Sequence, residues 1–176
     1  MHYNMADKQN LTHRSKRLSY LLRHSTLPDG NGWVKVAELV QHQFTDQELK
    51  DIVAKDEKGR FEYSEDNLSI KALYGHSIKV TQDTPSKKPP EYLYHGTATK
   101  YLDCIMDNGI LPKSRNYVHL SESMDSAIKA GERHGEPYLL TVSAGDMYRD
   151  GYLFYNVQTS VWSTKKVPVK YISTSN

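Results

Sequence analysis

The chain has 176 residues, 25% of them charged, and a formal net charge of +2 at pH 7. This length allows one domain or two small lobes, and the small net charge excludes a polybasic protein that coats nucleic acid indiscriminately. The single cysteine, Cys104, excludes an internal disulfide and indicates a reducing compartment. Because no apolar run approaches the roughly 20 residues that cross a bilayer, and the N-terminus lacks a secretory pattern, we expect a cytoplasmic protein with no membrane partner.

The first half of the chain predicts helices followed by a hairpin. The predicted elements are a helix from about Ser15 to His24, a strand at Trp33-Val34, a short helix around Val36 to Val40, and hairpin strands at Arg60–Tyr63 and Leu68–Ala72. Between them, Thr45 and Glu48 have the spacing of a capping box and predict a further helix start. Helices followed by a hairpin indicate a small winged-helix lobe over residues 15–80, after a flexible N-terminus of residues 1–14.

Residues 81–90 contain three prolines and no large apolar side chain, so they predict a linker. Residues 91–176 then predict a second, strand-rich lobe. Its predicted elements are strands at Tyr92–Tyr94, Tyr117–Leu120 and Tyr138–Val142, helices at Thr99–Asn108 and Ser123–His134, and short strands around Leu153–Tyr155, Val161-Trp162 and Val169–Ile172. The predicted fold class of the whole chain is α+β.

Two positions in the first lobe could bind an anion. Arg23 and His24 end the first helix, where an arginine fork can bind a phosphate and an imidazole can donate a hydrogen bond. Lys71 lies in a strand shortly before Gly75-His76-Ser77, a tripeptide with a permissive backbone and two donors. The plainer interpretations remain open, because cations favour any helix C-terminus and a strand lysine usually faces water.

The second lobe has two further candidate segments. His95-Gly96-Thr97 follows a predicted strand and leads into a helix. Its imidazole and hydroxyl are donors, the glycine would let a flat ring or ribose approach the backbone, and the helix amides favour a pyrophosphate. Arg115 precedes a strand on which His119 and Ser121 share one face. The same residues are also consistent with a histidine that lies in a turn by chance and with a strand that faces solvent.

Other site types lack their sequence patterns. None of the eight histidines stand three or four residues apart, and one cysteine cannot supply a zinc-finger spacing, so we expect no metal site. Because GxGxxG and Walker-type loops are also absent, any dinucleotide site is not of the Rossmann kind.

Taken together, the segments resemble the NAD-dependent RNA 2'-phosphotransferases over roughly Ser15 to Ile172. The matching motifs, in family order, are Leu21-Leu22-Arg23-His24, Gly75-His76-Ser77, Tyr94-His95-Gly96-Thr97, Tyr117-Val118-His119-Leu120-Ser121 and Arg133-His134-Gly135. The resemblance implies an N-terminal winged-helix RNA lobe and a C-terminal ADP-ribosyltransferase-like lobe that binds NAD.

The resemblance also implies a two-step reaction in which NAD is consumed. An internal RNA 2'-phosphate, as at a tRNA splice junction, displaces nicotinamide; the ribose 2''-hydroxyl then attacks the phosphorus, releasing 2'-hydroxyl RNA and ADP-ribose 1'',2''-cyclic phosphate. The family's catalytic set falls on Arg23, His24, Lys71 and Arg115. The NAD-binding positions fall on His95 and His119, with Gly96, Thr97 and Ser121 nearby. We expect a monomer.

The chain departs from the family pattern at several positions. Lys71 stands where the family usually has arginine, so its two-pronged phosphate contact is lost and the second step is expected to be slower. The other departures are Tyr74 for glutamine, Asn116 for histidine, and Thr159-Ser160 for Asn-Gly. Two alternative functions stay open: a transferase that ADP-ribosylates terminal phosphates of RNA or DNA and stops after step one, and a non-catalytic RNA-binding module.

Overall fold

The structure is a computed structural model that describes residues 5–81 and 84–174, with side chains from residue 10 onward in the first helix. The chain divides into two compact units, Met1–Asp83 and Thr84–Asn176, here called the N-terminal and C-terminal units. Both units combine helices with antiparallel sheet, which confirms the α+β fold class. Among the described residues, no helix has the length and apolar character needed to cross a bilayer.

The N-terminal unit packs three helices against a small antiparallel sheet. Its elements are α1 (Met5–His24), β1 (Trp33–Lys35), α2 (Val36–Gln41), α3 (Asp46–Ala54), β2 (Phe61–Tyr63) and β3 (Ser69–Ala72), with strand order β1-β3-β2. The predicted hairpin is therefore confirmed as β2 and β3. Leu18, Leu21 and Leu22 of α1 are buried in one core. The same core contains Leu39, Leu49 and Ile70, so the apolar periodicity of α1 marks its buried face.

The sequence predicted the starts of α1 and α3, and the structure confirms only that of α3. Thr45 Oγ1 accepts a hydrogen bond from the Glu48 amide at 3.1 Å, and Glu48 Oε2 accepts one from the Thr45 amide at 3.4 Å. This reciprocal pair confirms the predicted capping box at the start of α3. The predicted start of α1 at about Ser15 was wrong, because the helix spans Met5–His24 and so includes residues 5–14.

The C-terminal unit is built on one six-stranded antiparallel sheet. Its elements are β4 (Leu93–Ala98), α4 (Leu102–Asn108), β5 (Val118–Ser121), α5 (Met124–Gly131), β6 (Pro137–Val142), α6 (Ala144–Arg149), β7 (Tyr155–Gln158), β8 (Val161–Thr164) and β9 (Ile172–Thr174), with strand order β7-β8-β5-β4-β6-β9. One face of the sheet supplies the core through Leu93, Leu120, Leu140 and Trp162. Side chains that alternate with these residues lie on the opposite face.

Some predicted elements of this unit differ in the structure, and one helix was not predicted. His95-Gly96-Thr97 lies inside β4 and does not follow the strand, because β4 pairs with β6 along its whole length. The predicted strand Val169–Ile172 is a 3-10 turn over Val169–Tyr171, and β9 begins only at Ile172. Helix α6 was not predicted; its Ala144 and Met147 are fully buried, so packing stabilises a short helix that includes a glycine.

Candidate functional site

In the N-terminal unit, the end of α1 is held against the turn that follows β3. The Ser77 amide donates a hydrogen bond to the Arg23 carbonyl at 3.1 Å, and His24 Nδ1 lies 2.9 Å from Ser77 Oγ. The Arg23 guanidinium carbon lies 5.1 Å from the centre of the Tyr74 ring, within cation–π range. Gly75 has a φ of +88°, a conformation that favours glycine, and a Cβ there would lie 3.5 Å from the Arg23 guanidinium carbon, so the turn packs against Arg23.

Lys71 lies on the sheet face opposite the core, as its strand pattern predicted. Its neighbours Ile70 and Ala72 are buried at 0% and 2% exposure. In the register of the sheet, Lys71 is flanked by Trp33 and Glu62. Lys71 Nζ lies 4.5 Å from the centre of the Trp33 ring and 3.4 Å from Glu62 Oε2. The Trp33 ring and the Glu62 carboxylate, which is half-exposed, therefore orient the Lys71 ammonium group.

His76 was not among the predicted site residues, although the sequence analysis noted its tripeptide. Its side chain is 8% exposed, and its Nε2 has no hydrogen-bond partner among the described residues. Burial, together with the smaller effects of the nearby Arg23, His24 and Lys71, lowers the pKa of His76 to about 4. The predicted site residues of this unit, Arg23, His24 and Lys71, thus lie within electrostatic range of a buried imidazole that is neutral at pH 7. We call Arg23, His24, Lys71 and His76 the N-terminal cluster.

In the C-terminal unit, His95 lies where β4 and β5 diverge. Tyr94 is paired with Ser121, and one residue further on the His95 Nδ1 atom is 3.1 Å from the His119 carbonyl oxygen. Burial lowers the pKa of His95, whereas its hydrogen bond to the His119 carbonyl opposes this shift. The charges of Lys113, Arg115 and His134 also lower it. A neutral imidazole is therefore held in one orientation with cationic side chains nearby.

His119 and Ser121 alternate with the buried Val118 and Leu120, which confirms that the two polar residues share one strand face. Ser121 Oγ accepts a hydrogen bond from the Ser123 amide at 3.1 Å, so this hydroxyl also fixes the turn before α5. Ser163 was missed by sequence reasoning. It is directly opposite His119 in the register, is 1% exposed, and its hydroxyl has no hydrogen-bond partner among the described residues. Only its alternation with Trp162 in the sequence could have indicated its face.

Gly96 and Thr97 lie in the middle of β4. We expected the glycine to let a ligand approach the backbone, but in the structure it lets a helix pack against the strand. A Cβ on Gly96 would overlap the Ala127 carbonyl oxygen, because α5 crosses the strand at this point. A Cβ on Gly131 would lie 2.5 Å from the Thr97 carbonyl oxygen at the same crossing. The two glycines therefore allow a helix and a strand to pack with their backbones in contact, and Thr97 is buried there at 6% exposure.

Arg115 is exposed in the loop before β5, where its amide donates a hydrogen bond to the Pro112 carbonyl at 3.0 Å. Burial is the main cause that lowers the pKa of His95 and the charge of Arg115 adds to it, so this guanidinium lies within electrostatic range of that imidazole. His95 is in turn held by its hydrogen bond to the His119 carbonyl. Arg23, His24 and Lys71 are gathered separately within the N-terminal unit.

The model of the RNA 2'-phosphotransferase, Tpt1/KptA family matches residues 9–166 of the chain. This match includes every residue of both groups described above. The chain belongs to this family.

Curated relatives of similar length agree with the assignment to the RNA 2'-phosphotransferase family. A protein of Acaryochloris marina is 43% identical over 174 residues, covering 93% of this chain and 96% of its own length. A protein of Flavobacterium johnsoniae is 44% identical over 169 residues, covering 90% and 93%. A third, from Agrobacterium fabrum, is 41% identical over 175 residues, covering 93% and 94%. Each is described as a probable RNA 2'-phosphotransferase.

As a member of the RNA 2'-phosphotransferase family, the chain is an enzyme of the transferase class. The chemistry of its polar groups suits anionic substrates, because guanidinium, ammonium and neutral imidazole donors are grouped in each unit. Among the residues that the structure describes, no group of three or more His, Cys, Asp or Glu side chains is arranged to hold a metal ion.

Proposed function

We propose that the chain is an NAD-dependent RNA 2'-phosphotransferase that removes an internal 2'-phosphate, such as one left at a tRNA splice junction. The observation that carries this proposal is the family match over residues 9–166, which spans both the N-terminal cluster and the group around His95. In this proposal, the N-terminal unit is a winged-helix RNA lobe and the C-terminal unit an ADP-ribosyltransferase-like NAD lobe. The working enzyme is a monomer.

The N-terminal cluster is proposed to bind the RNA 2'-phosphate. Arg23 offers a planar fork of donors, and its side chain is braced by the Tyr74 ring and Gly75. His24 is oriented by Ser77, and Lys71 adds a second positive charge. His76 supports this role because its low pKa keeps it neutral, so burying it near Arg23 and Lys71 adds no further repelling charge.

The group in the C-terminal unit is proposed to bind NAD. His95 is held by the His119 carbonyl, while His119 and Ser121 face outward from the core beside the buried hydroxyl of Ser163. Thr97 and the backbone of Gly96 lie next to His95 on the same strand. Arg115 would supply positive charge to a phosphate, and this makes it the fourth member of the catalytic set with Arg23, His24 and Lys71.

The proposed reaction has two steps that use NAD as a co-substrate. In the first, an oxygen of the RNA 2'-phosphate forms a bond to the ribose carbon of NAD and nicotinamide leaves. In the second, the ribose 2''-hydroxyl loses its proton and bonds to phosphorus, and the bond from phosphorus to the RNA 2'-oxygen breaks. That oxygen takes up a proton, giving RNA with a 2'-hydroxyl and ADP-ribose 1'',2''-cyclic phosphate. The cationic groups lower the repulsion between the reacting anions.

The test is a product analysis with a short oligoribonucleotide that carries one internal 2'-phosphate. With NAD we expect nicotinamide, 2'-hydroxyl RNA and the cyclic phosphate, and without NAD we expect no change in the RNA. An oligonucleotide of the same sequence with a free 2'-hydroxyl is the control for hydrolysis of NAD alone. Loss of the 2'-phosphate without NAD would refute the proposal, and so would RNA binding without any release of nicotinamide.

A second candidate function differs only in where the reaction stops. Lys71 is a point charge already paired with Glu62 at 3.4 Å, so it is less suited than an arginine to stabilise a phosphorane in step two. In this alternative the chain ADP-ribosylates phosphates, including terminal phosphates of RNA or DNA, and the product accumulates. The same product analysis separates the two functions, because accumulated ADP-ribosylated nucleic acid without cyclic phosphate would favour the second.

A further inference from the structure

We propose that Tyr20 is a stacking platform for the base of the nucleotide that carries the 2'-phosphate. The proposal rests on the proposed function, because it assumes that RNA binds through the N-terminal cluster. It adds a base-binding position to a site that so far consists of phosphate contacts only. The occupant is an unpaired base of RNA, since a base within a double helix has both faces covered by the bases stacked above and below it.

Tyr20 is unusual among the apolar side chains of α1. Its neighbours Leu18, Leu21 and Leu22 are almost fully buried, whereas Tyr20 is 59% exposed. Single exposed aromatic residues are common on protein surfaces, so exposure alone indicates no ligand. The position of Tyr20 relative to the N-terminal cluster is what distinguishes it.

The Tyr20 ring lies one helical turn before His24, on the same side of α1. The two ring centres are 5.8 Å apart and the rings are inclined at 45°. His24 is in turn held by Ser77, with 2.9 Å between Nδ1 and Oγ. An aromatic face is therefore fixed directly beside a residue proposed to bind the phosphate. In a nucleotide, the 2'-phosphate and the base are attached to adjacent carbons of one ribose, so both can be contacted by adjacent side chains.

The charges along the same side of α1 suit a nucleic-acid strand. Lys16 is exposed one turn before Tyr20, and Arg23 and His24 follow it. Proteins that bind single-stranded RNA commonly combine aromatic rings, on which bases stack, with cationic groups along the backbone. The formal net charge of the whole chain is only +2, so this arrangement is local and not a consequence of a generally basic surface.

The experiment varies the ring on the protein and the base on the RNA together. The substrates are two 2'-phosphorylated oligonucleotides that have either uridine or dihydrouridine at the phosphorylated position. Dihydrouridine keeps the sugar, the phosphate and the carbonyl groups but lacks an aromatic ring. We expect Tyr20→Ala to raise the KM for the uridine substrate by about 5- to 150-fold, with the KM for NAD unchanged. Tyr20→Phe should resemble the wild type, because stacking does not require the hydroxyl.

The decisive comparison is the dihydrouridine substrate. If Tyr20 stacks on this base, the wild type binds dihydrouridine RNA as weakly as Tyr20→Ala does, and Tyr20→Ala no longer distinguishes the two substrates. The matched control is Tyr92→Ala, since Tyr92 is a similarly exposed tyrosine at 55% but lies in the C-terminal unit. We expect that variant to leave the KM for RNA unchanged.

Failure of this inference can be distinguished from failure of the proposed function. If the wild type turns over 2'-phosphorylated RNA but Tyr20→Ala has equal effects on both substrates, the stacking proposal is overturned and the phosphotransferase stands. If the wild type releases no 2'-phosphate with NAD, the proposed function fails first. The preference of the unmodified protein for uridine over dihydrouridine provides a test that does not depend on the folding of any variant, and the absence of this preference would also overturn the proposal.

Discussion

We expect the side chain of Lys71 to determine the relative rates of the two proposed chemical steps. Its ammonium group contacts the Trp33 ring at 4.5 Å and Glu62 at 3.4 Å, and it can present one charge but not a planar pair of donors. In the proposed reaction, the first step needs only that anionic partners be brought together. The proposed second step would develop charge on several phosphoryl oxygens at once, which a guanidinium stabilises better.

We therefore predict that Lys71→Arg accelerates the second step and leaves the first nearly unchanged. The measurement is the decay of ADP-ribosylated RNA in a single-turnover time course, where an increase of about tenfold corresponds to roughly 1.4 kcal/mol of transition-state stabilisation. Lys35→Arg is the matched control, because Lys35 is an exposed lysine on the neighbouring strand β1. An unchanged decay rate in Lys71→Arg would show that the arginine is not needed for step two.

His76 is predicted to make the folded state sensitive to acid. Its pKa is about 4 in the folded protein against an ordinary value of 6.5, so between these values the unfolded chain binds more protons. The free energy of unfolding then rises with pH through this window by at most about 1.4 kcal/mol per pH unit, and the gain is lost on acidification. Urea unfolding between pH 4 and 7 should show a flatter profile for His76→Gln than for the wild type. His13→Gln, which changes an exposed histidine, should retain the wild-type slope.

The sequence could identify candidate site residues, but it could not show which of them lie close together. Arg23 and His24 are neighbours in the chain, so their proximity needs no structure. Lys71 joins them only because β3 and the following turn fold back on the end of α1, where Ser77 bonds to the Arg23 carbonyl. His76 and Ser163 were not selected, because their defining property is burial of a polar atom. Burial of a single polar residue has no signature in a sequence pattern.

The packing of α5 on β4 is the element-level feature that determines where His95 lies. Gly96 and Gly131 meet at the crossing, where the helix and strand backbones approach without intervening side chains. His95 precedes Gly96 directly, so any displacement of the strand also moves its imidazole away from the His119 carbonyl. The glycine thus connects a packing requirement to the geometry of the proposed NAD site.

We predict that Gly96→Ala destabilises the protein by about 1–3 kcal/mol or more, because the new methyl group overlaps the Ala127 carbonyl and the helix must move. Thermal unfolding measures this loss, and the KM for NAD should rise in the same variant. Gly30→Ala is the matched control, since a Cβ there meets no atom within 4 Å. Equal stability of the two variants would contradict the close packing of α5 and β4.

Elements with a strong local signal were predictable, and elements stabilised by distant partners were not. The Thr45 and Glu48 pair marked the start of α3 because a capping box is formed within four residues. The first ten residues of α1 are mostly polar, so they lack the apolar period on which the prediction rested. β9 depends on pairing with β6, a contact far away in sequence, and three residues are too few to show an alternating pattern.

At the scale of the whole molecule, the small net charge predicts that RNA affinity comes from a few phosphate contacts rather than from a basic surface. The chain has 23 Lys and Arg against 21 Asp and Glu, and several of these charges are paired with each other, as in the Arg149–Asp146 and Lys170–Asp150 ion pairs. Salt should therefore weaken binding through only a small number of displaced counterions.

We predict that RNA affinity depends only weakly on salt concentration and that this dependence arises from the N-terminal cluster. For 2'-phosphorylated RNA without NAD, Arg23→Ala should reduce the slope of log Kd against log salt concentration by about 0.7, the value for one single-strand phosphate contact. Lys87→Ala removes an exposed lysine of the C-terminal unit that forms none of the ion pairs described above, and it should leave the slope unchanged. Because both variants remove one positive charge, they differ only in where the charge lies. An equal reduction in both would mean that RNA responds to the overall charge of the protein, and the phosphate-binding role of Arg23 would then have to be abandoned.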